Sequence, residues 1–541
     1  MATVSSTPEL AYQATFENER RFLGLDLLCG RVGPAHPLHR YIAAAGIDAG
    51  ELALMSGAPC PPDLIGLNHY VTSDRFLDHR LDRYPPHVRG GNGRHAYADV
   101  EAVRVLGPDL PRHAALLAAL WSRYGMPLAI TEAHLGCASE EQVRWLRAAW
   151  RGADAARARG VDVRAVTAWS VFGACDWDSL LTRDHGHYEP GVFDVRGGVV
   201  RPTALAGVAR ELAQSGTSTH PALDAPGWWR RDGRHEYPPY GPVARVSPTP
   251  RPRPILVTGA QGTLGTAIAR ICESRGLRTV LAARRDLDIG DRDAVADMLD
   301  AHRPWAVVNA AGFVHVDDAE AARPDCLRTN ASAPCVLADA CGARGLRLAV
   351  FSSDLVFDGA KGRPYVESDP VSPLGAYGES KAVLEREVAT RCPGALVVRT
   401  SAFFGPWDRA NFLFALLDAL RRRRPFRAAR DVVVSPTYVP HLADAVITLL
   451  VDGAEGVWHL ANAGALSWHA FATRAAAMAG VDASTLESCT VTELGLPAPR
   501  PRCSALASER GALMPPLYAA LECYVAACRV AAGSEAGRRR A

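Results

Sequence analysis

Short apolar stretches alternate with amphipathic stretches in the second half of the chain. The apolar stretches predict strands at residues 255–257, 279–282, 306–309, 349–352 and 396–399. The amphipathic stretches between them predict helices at residues 263–274, 292–302, 324–344 and 376–389. This alternation is typical of an α/β domain of the Rossmann type, in which a doubly wound parallel sheet carries helices on both faces.

A stretch rich in proline, glycine and polar residues separates this half from the first. It covers residues 214–254 and contains P-P-Y-G-P and S-P-T-P-R-P-R-P. Its composition predicts an extended, polyproline-like connector, part of which docks on a domain through its tryptophans and tyrosines. We therefore divide the 541 residues into a first segment at 1–213, a linker at 214–254 and a second domain at 255–541.

Composition and charge argue against several classes of protein. Hydrophobic residues make up 48% and charged residues 22%, as in ordinary globular proteins. A net charge of +2 argues against a nucleic-acid partner. Glu9, Glu17 and Glu19 interrupt the N-terminus and no apolar stretch is long enough for a bilayer, so we expect neither a signal peptide nor a membrane partner. The thirteen cysteines form no C-x-x-C pair, which fits a cytoplasmic protein.

The first predicted strand of the second domain runs directly into T-G-A-Q-G-T-L-G. Gly259 permits a tight turn, Gly262 lets the backbone approach a pyrophosphate, and Gly265 lets the next helix pack closely on the strand. The free N–H groups of that helix then face the phosphates. The sequence therefore predicts a dinucleotide site. The predicted contacts are Gly259, Gln261, Gly262, Thr263, Leu264 and Gly265.

The end of the second predicted strand bears on the choice of cofactor. An enzyme that uses NAD usually places an acid there for the ribose hydroxyl, whereas this chain reads A-A-R-R. Arg284 and Arg285 suit a 2′-phosphate and favour NADP(H). Asp286 follows directly, so NAD(H) stays open.

Tyr377 and Lys381 lie one helical turn apart in Y-G-E-S-K. Of the 60 lysines and arginines only Lys361 and Lys381 are lysines, so a lysine kept here suggests a task for a compact ammonium. An ammonium stabilises a nearby phenolate, and we expect it to lower the pKa of Tyr377. Ser353 follows a predicted strand, where it is placed to donate a hydrogen bond to a carbonyl. The spacing of Tyr377 and Lys381 resembles that of the proton-handling pair of short-chain dehydrogenases.

The motifs of the second domain resemble those of the extended short-chain dehydrogenases and, within them, the dTDP-4-dehydrorhamnose reductase family. Beyond the glycine-rich loop and Y-G-E-S-K they include V-V-N-A-A-G (307–312), S-S-D-L-V-F-D-G (352–359), R-T-S (399–401), S-P-T-Y (435–438) and W-H-L-A-N-A-G (458–464). The resemblance implies a small substrate-binding subdomain and NADPH-dependent reduction of a nucleotide-linked 4-keto-6-deoxy sugar. It makes Ser353, Tyr377 and Lys381 catalytic.

The same resemblance implies further contacts with the ligands. On the cofactor side these are Asp288, Ile289, Asn309, Ala310, Ala311, Asn330 and Lys381. On the substrate side they are Asp354, Val356, Phe357 and Asn411. Some members of the family use Mg²⁺, but no ligand cluster in this chain demands one, so Mg²⁺ stays open as a cofactor. A homodimer is a candidate assembly.

The sequence departs from the family at one position that bears on the substrate. The family usually reads R-T-S-W where this chain has R-T-S-A, ending at Ala402. Phe403, Phe404 and Trp407 are candidates to fill the space of the tryptophan. The particular nucleotide sugar therefore stays open.

Residues 1–213 carry a different set of motifs, namely I-G-L-N-H-Y (65–70), L-A-I-T-E (128–132) and W-S (169–170) followed by D-W (176–177). Polar residues at strand ends with helices between suit a (β/α)₈ barrel. The motifs resemble family 1 glycoside hydrolases, and by that resemblance Glu132 is the candidate nucleophile, with Asn68 and Tyr70 beside it.

This first segment also departs from the family that it resembles. A retaining glycosidase needs a second carboxyl about 5 Å from the first, and the family carries it in N-E-P, which this chain lacks. A full barrel usually needs about 250 residues, so we expect an incomplete barrel. His185 and His187, with His134, do not suffice to predict a metal site.

Four functions therefore compete. The first is an NADP(H)-dependent ketosugar reductase with a barrel-like module. The second is a glycoside hydrolase of the β-glucosidase type whose second domain only binds a nucleotide sugar. The third is a non-catalytic binding or scaffold protein, and the fourth is a nucleotide-sugar epimerase with a tightly held NAD.

Overall fold

A computed structural model of the chain describes residues 2–107, 113–179, 182–241, 251–408 and 410–538. The chain divides into two compact units, one formed by Met1–Phe193 and Pro202–Arg251, the other by Asp194–Arg201 and Pro252–Ala541. Inside the second unit, the partly buried Arg201 pairs with Asp194 and Asp452. None of the described helices combines the length and the hydropathy that a membrane span requires.

The second unit is built on a six-stranded sheet whose strand pairings are parallel. In spatial order its strands are Thr279–Ala282, Ile255–Thr258, Ala306–Asn309, Arg347–Phe351, Leu396–Arg399 and Gly456–His459. Three of the inner strands are buried at all four residues, as expected of a parallel sheet with both faces covered. The Rossmann-type prediction is confirmed, and its five strands agree with the observed bounds within two residues. The sixth strand was not predicted.

Helices cover both faces of this sheet. Their bounds are Thr263–Ser274, Arg292–His302, Asp318–Ala321, Arg323–Leu327, Ala333–Arg344, Ala376–Arg391 and Val439–Asp452. The predicted helix at 324–344 is interrupted by a π-helical turn at Arg328–Ser332. Such turns occur frequently at functional sites, and this one carries Asn330.

The remaining elements of the second unit form a smaller layer beyond the sheet. Its strands are Phe403–Phe404, Phe426–Ala429, Val433–Val434, Thr437–Tyr438, Leu466–Ser467 and Leu486–Cys489. Its helices are Phe412–Arg421, Trp468–Ala479, Val491–Leu494 and Leu517–Arg538. An apolar cluster that includes Phe404, Leu416, Phe471 and Tyr524 fills this layer.

The first unit contains two larger sheets. One is a mixed sheet of Thr3–Ser5, Arg75–Asp78, Ala96–Glu101 and Arg89–Gly91, and the other is a parallel sheet of Ile65–Asn68, Leu128–Ala133 and Val163–Ala168. Two-residue strands lie at Ala174–Cys175, Tyr188–Glu189, Phe193–Asp194 and Arg201–Pro202. The described residues thus give three adjacent parallel strands and no closed barrel. The barrel relationship remains a prediction.

Within the described ranges, seven α-helices accompany these sheets, at Ala11–Arg20, Leu23–Leu28, His39–Ala44, Ala49–Gly57, His113–Tyr124, Ser139–Arg157 and Ala204–Ser215. The predicted linker begins within the last of them and continues in 3-10 helices at Pro221–Asp224, Trp228–Arg230 and Asp232–Arg234. Trp229 is only 2% exposed and its ring lies 5.1 Å from that of Trp145. This part of the linker therefore packs on the first unit. Residues 242–250 lie outside the described residues.

A buried ion pair joins the helix Ala376–Arg391 to the central sheet. The guanidinium of Arg399 donates two hydrogen bonds to Glu385, from Nε at 2.9 Å and from Nη2 at 2.7 Å. Ser352 donates a third hydrogen bond to the same carboxylate, at 2.5 Å. Both partners of the pair are less than one-tenth exposed. Since each charge is compensated by the other and by hydrogen bonds, loss of one partner leaves an unpaired buried charge.

We expect Glu385→Ala to destabilise the second unit by about 3–5 kcal/mol, because it leaves the Arg399 guanidinium buried without its carboxylate. Thermal and denaturant unfolding of the full chain would measure the loss. Glu387→Ala is the matched control, because the ion pairs that Glu387 forms with Arg386 and Arg391 lie at the surface. Equal stability of the Glu385→Ala and Glu387→Ala variants would contradict this role.

Candidate active site

The helix Ala376–Arg391 begins where a carboxylate meets its first turn. Glu320 accepts a hydrogen bond from the backbone N–H of Ala376 at 2.8 Å, which stabilises the positive end of the helix dipole. A Cβ at Gly375 would lie 2.5 Å from the same carboxylate, so a larger residue there would displace Glu320 from the start of the helix. Tyr377 is thereby held in the first turn, in a cleft that it shares with Leu355 and Ala498. Glu320 was not identified as a site residue from the sequence.

Lys381 lies under Tyr377, as the one-turn spacing predicts. Its Nζ is 5.7 Å from the centre of the tyrosine ring and donates a hydrogen bond to the carbonyl of Phe351 at 3.0 Å. The side chain is only 7% exposed. Burial lowers the pKa of Lys381 to about 8, although the nearby groups Cys326 and Glu385 act to raise this pKa. This ammonium is therefore anchored to the last residue of a sheet strand.

The pKa of Tyr377 shifts in the opposite direction to the prediction. Burial raises this pKa, and the nearby groups Asp354 and Cys326 add to the increase. The prediction relied on positive charge near the phenol, from the Lys381 ammonium and from the nicotinamide. Desolvation of the phenolate is the largest cause in this structure, in which the Lys381 ammonium is bonded to the carbonyl of Phe351. Tyr377 is consequently a protonated phenol, the form that donates a proton.

Ser353 and Asp354 stand at the carboxyl edge of the sheet, as predicted. The backbone N–H of Leu355 donates to Ser353 Oγ at 3.1 Å, and Ser353 Oγ lies 2.9 Å from Asp354 Oδ1. Ser401 Oγ and Ser504 Oγ lie 2.7 Å and 2.6 Å from the other carboxylate oxygen, Oδ2. Asp354 is only 5% exposed, and burial raises its pKa against these hydrogen bonds.

The catalytic helix lies directly against the turn that follows Ser353. A side chain at Gly378 would overlap the carbonyl oxygen of Leu355, which is two residues after the serine. Only a glycine therefore lets the helix approach the turn this closely. The sequence motif Y-G-E-S-K contains this glycine, but its role became visible only in the structure.

The glycine-rich loop has the geometry that a pyrophosphate requires. Gly259 has φ of 65°, and a side chain there would lie 2.5 Å from the backbone nitrogen of Ala311. A side chain at Gly265 would overlap the carbonyl of Gly259. Gly262 is different, because it is exposed at the start of the helix Thr263–Ser274 and its Cβ would meet only that carbonyl, at 3.4 Å. The loop thus presents open backbone at a helix N-terminus, which fits a dinucleotide.

The other loop residues have distinct positions. Gln261 is exposed, whereas Leu264 is buried. Thr263 Oγ1 donates to Asp408 at 3.0 Å, and Arg270 lies 4.5 Å from the ring centre of Trp407. No pattern in the sequence indicates that residues 407–408 approach this helix.

The region after the second strand is open to a 2′-phosphate. Arg284 and Arg285 are exposed, and Arg285 contacts Asp286 at 3.6 Å. The carboxylate of Asp286 accepts a hydrogen bond from the N–H of Ala283 at 2.9 Å. The turn therefore uses part of its capacity to accept hydrogen bonds. Asp288 is exposed and accepts from the N–H of Gly290, while Ile289 is buried.

Asn309 and Asn330 brace the backbone near the loop. Thr258 donates to Asn309 at 2.7 Å, and the N–H of Ala311 donates to the same amide oxygen at 3.3 Å. Asn330 accepts from the N–H of Phe313 and donates to Ser380 at 3.1 Å. Both side chains are buried, and Ala310 is partly exposed beside them.

Three residues predicted to contact substrate have other tasks in this structure. Val356 and Phe357 are fully buried, and the Phe357 ring stacks on Tyr365 at 4.0 Å. Asn411 caps the helix Phe412–Arg421 by accepting from the N–H of Phe414 at 3.0 Å. Packing and helix capping account for these three side chains in this structure, and their contact with a substrate remains a prediction.

In the first unit, the parallel strands bring the predicted residues together. The hydroxyl of Tyr70 donates to the carboxylate of Glu132, and Thr131 bonds to Asn68 at 2.5 Å. Glu132 is partly exposed. His134 instead bonds to Glu189 at 2.9 Å and stacks edge-on against Trp169.

A separate cluster lies in the loop that holds the predicted histidine run. Asp176, Asp178 and His185 each bring one oxygen or nitrogen atom within 4.8 Å of the others. Asp176 also accepts a hydrogen bond from the N–H of His187 at 2.8 Å. His134 does not belong to this cluster.

Comparisons with known proteins cover the second unit. Residues 253–514 match the family model described as RmlD substrate binding domain. The chain is 35% identical over 271 residues to a dTDP-4-dehydrorhamnose reductase of Streptomyces griseus, covering 49% of this chain and 88% of that protein. It is 35% identical over 228 residues to a dTDP-4-keto-6-deoxy-D-glucose reductase of Streptomyces niveus, covering 42% and 79%.

A crystal structure of the dTDP-4-dehydrorhamnose reductase of Bacillus anthracis in complex with NADP superimposes with a TM-score of 0.49 and 26% identity, over 50% of this chain and 98% of that one. The similarity of sequence to the curated reductases extends over most of their length. Through its second unit, the chain belongs to the dTDP-4-dehydrorhamnose reductase family.

Proposed function

We propose that the second unit reduces the 4-keto group of a nucleotide-linked 4-keto-6-deoxy sugar with NADPH. The observation that carries the proposal is the position of Tyr377, a protonated phenol above the anchored Lys381 and beside the turn of Ser353. This group lies at the same edge of the sheet as the glycine-rich loop, where ligands of such folds bind. The relatives named for reduction of dTDP-linked sugars support the substrate class.

The residues of the chain divide the work of a ketone reduction. NADPH, when bound, would supply the hydride that reduces the carbonyl carbon. Tyr377 then gives its proton to the oxygen of the former ketone, which becomes an alcohol. Lys381 stabilises the phenolate that remains, and Ser353 is placed to hold the carbonyl oxygen.

The choice of NADPH over NADH rests on the turn after the second strand. Arg284 and Arg285 are exposed where a 2′-phosphate would lie, and Asp286 is engaged by the N–H of Ala283. Gly262 and the helix Thr263–Ser274 would hold the pyrophosphate. An epimerase with tightly held NAD would convert the sugar without net consumption of NADPH. Following the oxidation of NADPH in the presence of the sugar therefore distinguishes the two activities.

Tyr377→Phe should reduce kcat by about 10²–10⁴-fold, because it removes the proton donor and leaves the cofactor loop unchanged. Oxidation of NADPH in the presence of freshly prepared dTDP-4-keto-6-deoxy sugar measures the rate, and nicotinamide fluorescence measures cofactor binding. Tyr518→Phe is the control, since Tyr518 is 59% exposed on the last helix. Undiminished turnover by the Tyr377→Phe variant would rule out the assigned proton donor.

The ammonium of Lys381 predicts a limb in the pH profile. Because its pKa is lowered to about 8, the charge is lost as the pH rises through that value, and kcat/KM should fall above it. Lys381→Arg should lose most of the activity, since Lys381 is buried with its Nζ bonded to the carbonyl of Phe351, and a planar guanidinium is larger than an ammonium.

The control for this variant is the other lysine. Lys361 pairs with Asp369 in a loop, so Lys361→Arg should leave kcat/KM and its pH profile unchanged. A fully active Lys381→Arg enzyme would show that any cation serves at this position.

A second candidate function belongs to the first unit, namely hydrolysis of a β-glucoside at Glu132. The observation in its favour is the hydrogen bond from Tyr70 to Glu132, at the carboxyl edge of three parallel strands. Retaining hydrolysis needs a carboxylate nucleophile held in this way, together with a second carboxyl group about 5 Å away.

We expect Glu132→Gln to abolish any hydrolysis of an aryl β-glucoside by the full chain, because the amide is not a nucleophile. Release of the aryl alcohol measures the activity. Glu211→Gln is the control, since Glu211 is exposed on the helix Ala204–Ser215. If the wild-type protein releases no aryl alcohol, the hydrolase candidate is eliminated.

A further inference from the structure

The buried carboxyl group of Asp354 has three hydroxyl partners, which can satisfy the hydrogen bonds of a protonated acid as well as those of a carboxylate. Oδ2 has two hydroxyl partners, Ser401 and Ser504, whereas Oδ1 has one, Ser353. A carbonyl oxygen accepts two hydrogen bonds through its two lone pairs, and an acid O–H donates one. Oδ2 therefore has the surroundings of a C=O, and Oδ1 those of an O–H.

The charges around Asp354 favour the same form. Among the described residues, no lysine, arginine or histidine forms an ion pair with it, and the titratable group that it faces is the phenol of Tyr377. An ionised carboxylate that is buried without a cation is costly. It would also oppose the loss of a proton from Tyr377.

The state of Asp354 decides what Ser353 can do. Ser353 has one hydrogen and two lone pairs, and one lone pair is taken by the N–H of Leu355. If Asp354 is ionised, the one hydrogen of Ser353 must point to Oδ1. If Asp354 is protonated, it donates to the second lone pair, and the hydrogen of Ser353 is free.

We propose that Asp354 is a neutral acid that donates to Ser353 and thereby turns the serine hydroxyl toward the ketone of the substrate. Asp354 is then a positioning residue, because it acts through Ser353 and does not itself move a proton to the sugar. This inference rests on the proposed function, since the ketone is the acceptor. It adds a protonated Asp354 to the serine, tyrosine and lysine as a group that the reaction requires.

Two residues outside the sequence predictions complete this arrangement. Ser401 and Ser504 occupy the lone pairs of Oδ2, so the proton is confined to Oδ1 beside Ser353. Their role is to fix which oxygen carries the proton.

Infrared difference spectroscopy of the full chain tests the protonation state without any need for substrate. Wild type minus Asp354→Asn at neutral pH should show the C=O stretch of a protonated carboxylic acid. Asp358→Asn is the matched control, because Asp358 lies four residues later, is partly exposed and has a lowered pKa. The difference spectrum of wild type minus Asp358→Asn should show carboxylate bands instead. Carboxylate bands in the Asp354 difference would overturn the proposal, whatever the enzymatic activity.

Kinetics test the action through Ser353. Asp354→Ala should lower kcat by about 100-fold, as expected for loss of one hydrogen bond to a developing oxyanion. Asp354→Asn should recover most of that loss, because its N–H group also donates to Ser353. The pair Ser353→Ala and Asp354→Ala should cost no more than Ser353→Ala alone.

Each kinetic outcome has a definite meaning. If Asp354→Asn is as slow as Asp354→Ala, or if the double variant loses the product of the two single effects, Asp354 does not act by donating to Ser353. If the wild-type enzyme reduces no 4-keto sugar, it is the proposed function that fails, and the infrared band still decides the state of Asp354.

Discussion

The ion pair between Glu385 and Arg399 holds the parts of the active site in register. Glu385 lies one turn after Lys381 on the catalytic helix, and it binds Ser352, the neighbour of Ser353. Arg399 ends the strand that leads into Ser401, a partner of Asp354. One buried carboxylate therefore connects the three segments that carry the lysine, the serine and the acid. A buried pair of this kind adds little to stability compared with apolar packing, but it fixes geometry where loss of one partner is costly.

Burial has opposite consequences for the two titratable members of this site. It keeps the phenol of Tyr377 protonated and makes the proton of the Lys381 ammonium easier to lose. Both effects arise because a charge is poorly solvated in the cleft. A reductase benefits from the first, because its tyrosine must arrive with a proton. The nearby groups Cys326 and Glu385 oppose the second effect, and Lys381 keeps its charge up to about pH 8.

The sequence was sufficient where a local pattern decides the structure. Alternating apolar and amphipathic stretches located the strand Ala306–Asn309 and the helix Thr263–Ser274 at their observed bounds. The strand Gly456–His459 follows the helix Val439–Asp452, which is apolar on most sides, so no clear period marked either.

Features that depend on distant contacts could not be predicted. Ser504 reaches Asp354 across 150 residues, and no motif announces it. Val356 and Phe357 lie in a recognisable motif, yet only the packing against Tyr365 shows that they face the core. In the first unit, by contrast, Asn68, Tyr70 and Glu132 were expected near one another because parallel strands share a carboxyl edge, and the structure brings them together.

At Gly378 the catalytic helix lies directly against the turn that follows Ser353, and a larger residue there would force the two apart. This close contact favours one separation between the tyrosine and the serine. Adaptation to a bulkier or smaller sugar has to occur on the facing wall, where Ala498, Pro499 and Pro501 line the same cleft. We therefore expect proteins of this design to change their sugar specificity through the loop that contains Ala498, Pro499 and Pro501, while the reaction chemistry stays the same.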